Sequence, residues 1–384
     1  MTEVAVEVVD EVRDWLARTP GVLTPLRVRE ALRSAGRLVG DATVLAIYDT
    51  LRRDVLGAGP LEPLLRLGGV TDVLVNGPDA VYVDCGRGLE LTEIRFPDDG
   101  SVRRLAQRLA AGAGRRLDDA CPHVDLRLGD GTRLHTVLAP VARPGTLISL
   151  RVPGARAFTL PELIACGTIP VGLAPVVEAI VRTRLAFVIS GGTGSGKTTL
   201  LAALLSLADP TDRIVIVEDS SELRPDHPHV VGLEGRPPNV EGAGAIALRT
   251  LVRQALRMRP DRLVVGEVRG DEVAELLAAL NTGHDGGCGT VHANAAADVP
   301  ARIEALALAA GLGREAAHSQ LAAGLDVVLH VSRRDGIRRL VEVAVPQRRP
   351  DGLVEMVTAY AVEGDDVRPG PGLHALDRML GARV

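Results

Sequence analysis

Apolar positions in the first 56 residues follow a helical period. Between residues 3 and 18, apolar side chains recur three or four positions apart, and acidic residues occupy the opposite face. Further helical stretches run from about Leu26 to Arg37 and from Ala42 to Leu56. The pattern predicts a helical amino-terminal segment, residues 1–56. It either docks a partner or packs on the next domain.

From Val70 the apolar period changes to two. VTDVLV, AVYVDC and LELTEIRF are short strand-like runs separated by glycine-containing turns, and the helical run SVRRLAQRLAAGA follows them. VDLRL, TRLHTVLAP and TLISLRV then read as three more strands. This pattern predicts a small α+β domain over residues 57–153 and an interdomain linker over 154–170.

Beyond the linker, helical segments alternate with the short apolar strands LAFVIS, RIVIVE, RLVVGE and CGTVH. Such alternation predicts an α/β domain with a parallel sheet covered by helices. We place this domain at residues 171–363. Residues 364–384 are rich in glycine, proline and charge, which predicts a loose tail.

Composition limits the kinds of partner. The net charge is −5 and aromatic residues make up 2% of the chain, so no direct nucleic-acid contact by base stacking is expected. Four cysteines show no zinc-site spacing, which predicts free thiols in a cytoplasmic protein without a structural metal.

The sequence predicts neither a signal peptide nor a membrane-spanning segment. Its first residues are acidic, unlike a signal peptide. The longest nearly uncharged run, 185–208, contains a glycine-rich loop and Lys197 and therefore reads as strand, loop and helix. Any membrane association is expected to be peripheral.

One glycine-rich stretch predicts a nucleotide site. Gly191–Thr198 fits G-x-x-x-x-G-K-[ST], following an apolar strand and opening a helix. Its backbone N–H groups and Lys197 suit phosphates, and the Thr198 hydroxyl suits Mg2+. A guanine-reading Asn-Lys-x-Asp segment is absent from the sequence, which favours ATP. The predicted phosphate-binding residues in this stretch are Gly191, Gly192, Thr193, Gly194, Ser195, Gly196, Lys197, Thr198 and Thr199.

Carboxylates follow two of the predicted strands. Glu218, Asp219 and Glu222 end one strand, and Glu267 ends the next. Ligands bind at this edge of open parallel sheets, so we expect Thr198, Glu218, Asp219 and Glu267 to handle a metal. Hydrolysis needs a carboxylate that activates water. Glu222 and Glu267 are the candidates, and spacing alone does not choose between them.

Four ordered blocks carry a family resemblance. GGTGSGKTTL, VEDSSELRP, LRMRPDRLVVGEVRGDE and NTGHDGGCGTVHAN resemble the Walker A, Asp box, Walker B and His box of the secretion ATPase superfamily. These are hexameric motors of type II and type IV secretion and of type IV pili. Upstream, GAGPLEPLLRLGGVTDVLVNGPDAVYVD is similar to the branch that assembles tight-adherence (Tad, Flp-type) pili. The resemblance covers about residues 55 to 345.

The resemblance implies a RecA-like P-loop ATPase domain that uses ATP and Mg2+. It implies Glu222 as general base, Glu267 as Walker B acid, and Lys197 and His292 beside the phosphates. In such motors the nucleotide lies between the two domains, and arginines of the amino-terminal domain sense its phosphates. The arginines in matching segments here are Arg127, Arg133 and Arg151. Three others, Arg257, Arg259 and Arg269, would link neighbouring active sites or pair with nearby acids.

Two departures qualify the resemblance. RVPGARAF differs from the more basic or aromatic sequence of relatives, which leaves the adenine contacts, including Phe158, open. A tetracysteine zinc module is absent from the sequence, which counts against the type II secretion branch.

The resemblance implies a cytoplasmic homohexamer under an inner-membrane platform. There, ATP-driven domain motion would power assembly of a tight-adherence pilus or a related secretion system. One alternative within the superfamily is a conjugation or type IV secretion ATPase, and another is a retraction motor. From a different class, a nucleotide-gated switch with negligible turnover remains open.

Overall fold

The structure is a computed structural model. It describes residues 57–382 except 87, 155, 237, 239–242, 335 and 365, and, before them, residues 8, 11, 12, 15, 19, 24–37, 39–41 and 43–48. The chain divides into two compact units, Met1–Gly154 and Ala155–Val384. The five-part division drawn from the sequence stays a prediction.

The amino-terminal segment contains a capped helix, α1, Pro25–Ser34. The Thr24 side chain accepts a hydrogen bond from the Arg27 amide, and proline at the first helical position suits its fixed φ. This confirms the predicted second helix. Residues 43–48 are helical too, whereas most of the predicted first helix and residues 49–56 lie outside the described part. The buried apolar side chains among the described residues form one small cluster: Val12, Val28, Ala31, Leu32, Val44 and Ile47.

The rest of the first unit is an antiparallel sheet with two helices. Its strands are β1 Asp72–Asn76, β2 Val81–Asp84, β3 Leu89–Leu91, β4 His123–Arg127, β5 Arg133–Val137 and β6 Leu147–Arg151. They lie in the order β3-β2-β1-β6-β5-β4. The helices are α2 Glu62–Leu65 and α3 Asp99–Gly112. Alternate strand residues face a core that α3 covers, as the period of two predicts.

The second unit is built on a mixed sheet. The parallel strands are β7 Phe187–Ser190, β8 Ile214–Glu218, β9 Val230–Glu234, β10 Arg262–Val268, β11 Cys288–Val291 and β12 Val327–Arg334. With the antiparallel strands β13 Ile337–Arg348, β14 Val354–Glu363 and β15 Asp366–Pro369, the order across the sheet is β15-β14-β13-β12-β7-β11-β10-β8-β9. Four of these, β7, β8, β10 and β11, are the apolar runs predicted as strands, so the parallel sheet is confirmed.

Helices cover both faces of this sheet, because neighbouring residues of each buried strand enter different cores. Phe187 and Ile189 face one apolar core, and Val188 faces the other. The first core is covered by α4 Leu160–Ala165, α5 Ala174–Arg182, α6 Lys197–Leu205 and α11 Leu373–Ala382. The second is covered by α7 Leu248–Ala255, α8 Glu272–Leu280, α9 Val299–Ala309 and α10 Arg314–Gly324.

Beyond β12 the sheet continues as an antiparallel meander of β13 Ile337–Arg348, β14 Val354–Glu363 and β15 Asp366–Pro369. The predicted loose tail, residues 364–384, therefore contains the edge strand β15 and the helix α11. The physical reason is burial, since Leu376 of α11 is fully enclosed in the first core. The high glycine and proline content of this stretch concealed its apolar positions.

Candidate nucleotide-binding site

The glycine-rich loop begins where β7 ends. Ser190 is the last residue of β7, and Lys197 is the first of α6. β7 lies between β11 and β12, with Val291 and His330 opposite Ser190 in register. The carboxyl ends of these parallel strands therefore meet at the edge of the sheet that carries the loop, as the sequence predicts.

A left-handed backbone or close packing explains three of the loop glycines. Gly194 and Gly196 have φ values of 70° and 96°, a left-handed region that favours glycine. A Cβ atom at Gly191 would lie 2.3 Å from the carbonyl oxygen of Val331 on β12, which no other residue could avoid. The loop conformation is therefore set by glycine at these positions.

Lys197 lies over this loop. Its Nζ atom donates to the carbonyl oxygens of Gly191 at 3.0 Å and Gly192 at 2.9 Å, and the Ser195 hydroxyl also donates to Gly192. The lysine is 7% exposed, and burial lowers its pKa, an effect that the charge of Glu267 opposes. A cation held there is placed to bind phosphate oxygens.

His292 joins the lysine to a carboxylate. Its Nδ1 atom lies 3.5 Å from Lys197 Nζ, and its Nε2 atom lies 2.7 Å from Oε1 of Glu267. Burial and then the Lys197 charge lower the pKa of His292, and Glu267 opposes the shift. The structure thus brings together Lys197, Glu267 and His292, three residues that the sequence analysis proposed for catalysis.

The fourth, Glu222, lies in the loop after β8 and is exposed. Its backbone N–H donates to Oε1 of Glu218 at 3.1 Å, and the N–H of Leu223 donates to the same oxygen at 3.0 Å. These bonds shape the loop that carries Glu222. Whether its side chain acts as the general base stays a prediction.

Glu218 is a buried carboxyl. It is 6% exposed, and burial raises its pKa to about 7, against the effect of its two backbone donors. A Cβ atom on Gly266 would lie 2.6 Å from Cγ of Glu218. Residue 266 on β10 is therefore glycine, because the Glu218 side chain fills the space that a larger residue would need.

Arg269 lies between the carboxylates that follow β8 and the carboxylate on β10. Its Nη2 atom lies 2.7 Å from Asp219 Oδ2 and 3.7 Å from Glu267 Oε2. Of the two roles open to Arg269, pairing with nearby acids is the one that the structure displays. Arg257 donates within its own helical turn to the carbonyl of Arg253, and Arg259 adopts a left-handed φ of 54°.

The predicted magnesium residues differ in how they are held. Thr198 is the second residue of α6 and its side chain is half-buried, whereas the Glu267 side chain is 30% exposed. Glu218 accepts two backbone N–H groups and Asp219 pairs with Arg269. Mg2+ takes most of its ligands from water and substrate phosphates, so one hydroxyl and one carboxylate of the chain fit its needs.

Three arginines of the first unit form one row. Arg127 lies opposite Arg133 between β4 and β5, and Arg133 lies opposite Arg151 between β5 and β6. Opposed residues of antiparallel strands share a face of the sheet. Arg133 pairs with Asp125 at 2.6 Å, and Arg151 approaches Asp72 at 3.3 Å. Their role toward phosphates stays a prediction.

Two further side chains contact the loop or the strand before it, and neither is predictable from the sequence motifs. Arg338 on β13 donates from Nε to the carbonyl oxygen of Gly194 at 3.0 Å. His330 on β12 is buried, and its Nδ1 atom lies 2.9 Å from Oγ of Ser190. Neither residue belongs to a recognisable motif, and the charged run SRRDGIRR reads as a solvated turn.

The four cysteines are free, and burial raises the pKa of Cys288 to about 12. Among the described residues, none of the helices combines the length and apolar character that crossing a bilayer requires. Phe158, named above among the open adenine contacts, is 49% exposed.

The sequence of the chain is similar to that of several known proteins. The family model for "Type II/IV secretion system protein" matches residues 54–355. A "Putative conjugal transfer protein" of Mycobacterium tuberculosis is 56% identical over 348 residues, 89% of this chain and 99% of that protein. The type IV secretion system protein PtlH of Bordetella pertussis is 30% identical over 313 residues, 74% of this chain and 92% of PtlH.

Among solved structures, the pilus retraction motor PilT with bound ADP superposes with a TM-score of 0.53. The superposition covers 84% of this chain and 85% of PilT at 19% identity, which is a likeness in fold. The predicted fold class, a RecA-like P-loop domain preceded by a smaller α+β domain and a helical segment, is confirmed.

Proposed function

This chain belongs to the type II/IV secretion system protein family, and from that premise we propose that it is a Mg2+-dependent, ATP-hydrolysing motor. The observation that carries the proposal is the chain of contacts Lys197–His292–Glu267 at the phosphate loop. A phosphate-binding cation, a histidine and an acid within hydrogen-bond reach supply the part of phosphoryl transfer that binds and stabilises charge on the phosphates.

Nucleotide binding follows from the loop. Lys197, now held by the carbonyls of Gly191 and Gly192, exchanges these acceptors for phosphate oxygens. Thr198 and Glu267 would hold Mg2+, which neutralises charge on the phosphates when bound. We further propose that Arg127, Arg133 and Arg151 contribute to phosphate binding, since guanidinium groups bind phosphate bidentately.

Hydrolysis requires a carboxylate that orients and deprotonates water. The family resemblance assigns this role to Glu222, and the exposed position of that residue in the loop after β8 leaves it accessible to solvent. Glu267 is less suited, because His292 and Arg269 already engage its two oxygens. Glu222 is therefore our first candidate for the base.

The finer assignment is to a pilus or secretion machine. We propose that the chain powers assembly of a tight-adherence pilus through nucleotide-driven movement of its two units. The support for this assignment is the family resemblance of the segment that contains β1 and β2. A conjugation or type IV secretion ATPase is the second candidate, and the 56% identity to the mycobacterial protein favours it. Deleting the gene in its host and scoring pili against plasmid transfer separates the two.

The working form is proposed to be a homohexamer held at the inner face of the cytoplasmic membrane by platform proteins. In a ring, each subunit needs a neighbour for a competent cycle. The first test is specific ATPase activity against protein concentration, with Mg2+ present. We expect activity per subunit to rise and saturate as oligomers form.

Two results would change this proposal. Activity that stays constant down to monomeric concentrations would remove the requirement for a ring but keep the nucleotide site. Tight ATP binding without measurable turnover at any concentration would favour the nucleotide-gated switch over the motor.

A further inference from the structure

The hairpin of β12 and β13 extends past the strand that carries the phosphate loop. His330 lies opposite Ser190, the last residue of β7, and β12 then continues for four more residues to Arg334. Across the hairpin, Arg333 lies opposite Arg338. The end of this hairpin therefore lies beside residues 191–196.

Arg338 contacts the loop at two glycines. Its Nε atom donates to the carbonyl oxygen of Gly194 at 3.0 Å. Its stem covers Gly196, since a Cβ atom there would lie 3.2 Å from Cδ of Arg338. Arg333 lies farther away, with Nη1 at 3.9 Å from the position of a Cβ atom on Gly194.

The bond to Gly194 fixes the direction of an amide. The carbonyl of Gly194 and the N–H of Ser195 belong to one planar trans peptide and point in opposite directions. The N–H of Ser195 now makes only a long bond of 3.4 Å to the carbonyl of Gly192. An oxygen held by Arg338 on one side therefore aims this N–H toward the inside of the loop.

Such a restraint matters because the loop is rich in glycine. With glycine at 194 and 196, the intervening peptides rotate at little steric cost, and ordering them opposes binding. A group that holds one of these peptides in place before the ligand arrives lowers that cost.

We propose that Arg338 is a positioning residue for nucleotide binding, which holds the Gly194–Ser195 peptide with its N–H toward the ligand's phosphates. This inference rests on the proposed function of the loop. It concerns a residue outside the four motif blocks, on the hairpin of the antiparallel extension.

The test compares three variants with the wild-type chain. Arg338→Met keeps the stem over Gly196 but removes the donor, and Arg338→Lys restores a cationic donor. Arg348→Met, at the opposite end of β13, is the matched control, because Arg348 is also exposed. ADP with Mg2+ is the probe, and its Kd is measured by titration calorimetry alongside steady-state ATP hydrolysis.

We expect Arg338→Met to weaken ADP binding about tenfold and to raise KM in parallel, the effect of one charge-assisted hydrogen bond. Its kcat at saturating ATP stays within about twofold of wild type, because the restraint acts before chemistry. Arg338→Lys recovers most of the affinity, and Arg348→Met binds as the wild type does.

A second readout needs no activity. Lys197 is the only lysine among the 384 residues, so an amine reagent followed by peptide mapping reports on the loop alone, apart from the chain's terminal amine. Without nucleotide, Lys197 should react several-fold faster in Arg338→Met, because a looser loop holds Nζ less firmly.

Equal Kd and equal labelling in Arg338→Met and wild type would overturn the inference. So would a fall in kcat with unchanged KM, which would place Arg338 in the chemistry. Should Arg338→Met fail to fold, Arg338→Leu, which also lacks a donor, takes its place under the same criteria. If wild type itself binds no ADP, it is the proposed function that fails.

Discussion

The Nε2 atom of His292 lies 2.7 Å from Oε1 of Glu267, while the Nδ1 atom of the same ring faces Lys197 Nζ at 3.5 Å. A neutral ring with its proton on Nε2 satisfies both neighbours, since Nε2–H donates to the carboxylate and Nδ1 accepts from the ammonium. The lowered pKa of His292 agrees with a neutral ring.

Replacing His292 by alanine should lower kcat about 10²-fold, because Glu267 and Lys197 lose the group that spaces them. In wild type, protonation of His292 should lower kcat on the acid side of the pH profile. This fall should lie below pH 6.5, the ordinary pKa of histidine, because burial and the Lys197 charge lower the pKa of His292. ATP hydrolysis between pH 5 and 9 measures both. His374→Ala, on the exposed side of α11, is the control, and equal kcat in both variants would dismiss the role of His292.

Glu222→Gln tests the general base. We expect kcat to fall about 10²- to 10⁴-fold with ADP affinity unchanged, because glutamine keeps the backbone N–H that donates to Glu218 and removes only the carboxylate. Stopped-assay hydrolysis and calorimetric titration give the two quantities, with Glu355→Gln on β14 as a control. Wild-type turnover in Glu222→Gln would transfer the role to Glu267.

Glu218 should make stability depend on pH. Its folded pKa of about 7 exceeds the ordinary 4.5, so between these values the folded chain holds a proton that the unfolded chain has released. Stability therefore falls as pH rises through this window. Glu218→Gln keeps an oxygen for both backbone donors and removes the penalty, so it should be about 1–3 kcal/mol more stable than wild type at pH 8.

The difference should nearly vanish at pH 5, where Glu218 is protonated in the folded chain. Chemical unfolding midpoints at the two pH values measure it. Glu162 provides the opposite case, since Arg156 and Thr159 lower its pKa to about 2. Glu162→Gln should give no gain at pH 8, and an equal gain in both variants would contradict the burial argument.

Gly266→Ala should destabilise the second unit by about 1–3 kcal/mol, because its Cβ atom would lie 2.6 Å from the buried Glu218 side chain. Gly232→Ala on β9 is matched to it, with open space within 4 Å of the added atom. Thermal unfolding compares the two. If both variants have the same Tm as the wild type, the Glu218 side chain moves aside freely and the packing explanation is wrong.

The local pattern of apolar and polar residues predicted much of the fold. It predicted site residues only where they lie together in one short segment of the sequence. Lys197 and the loop glycines are adjacent in sequence, so strand, loop and helix are recognisable together. His292 was found through the family resemblance alone. Arg338 was missed because its contact joins residues 144 positions apart, and a turn rich in arginine looks solvated. α11 was missed because a few buried side chains, such as Leu376, outweigh a glycine- and proline-rich composition.

The order of strands in the second unit has a consequence for synthesis on the ribosome. β7, which leads into the phosphate loop, has β11 on one side and β12 on the other, and both are translated long after it. The first unit, by contrast, finds all its strand partners between residues 72 and 151. A nascent chain that stops before Val327 therefore presents a hydrophobic strand with one edge unpaired, so the nucleotide site is completed only after β12 has been translated.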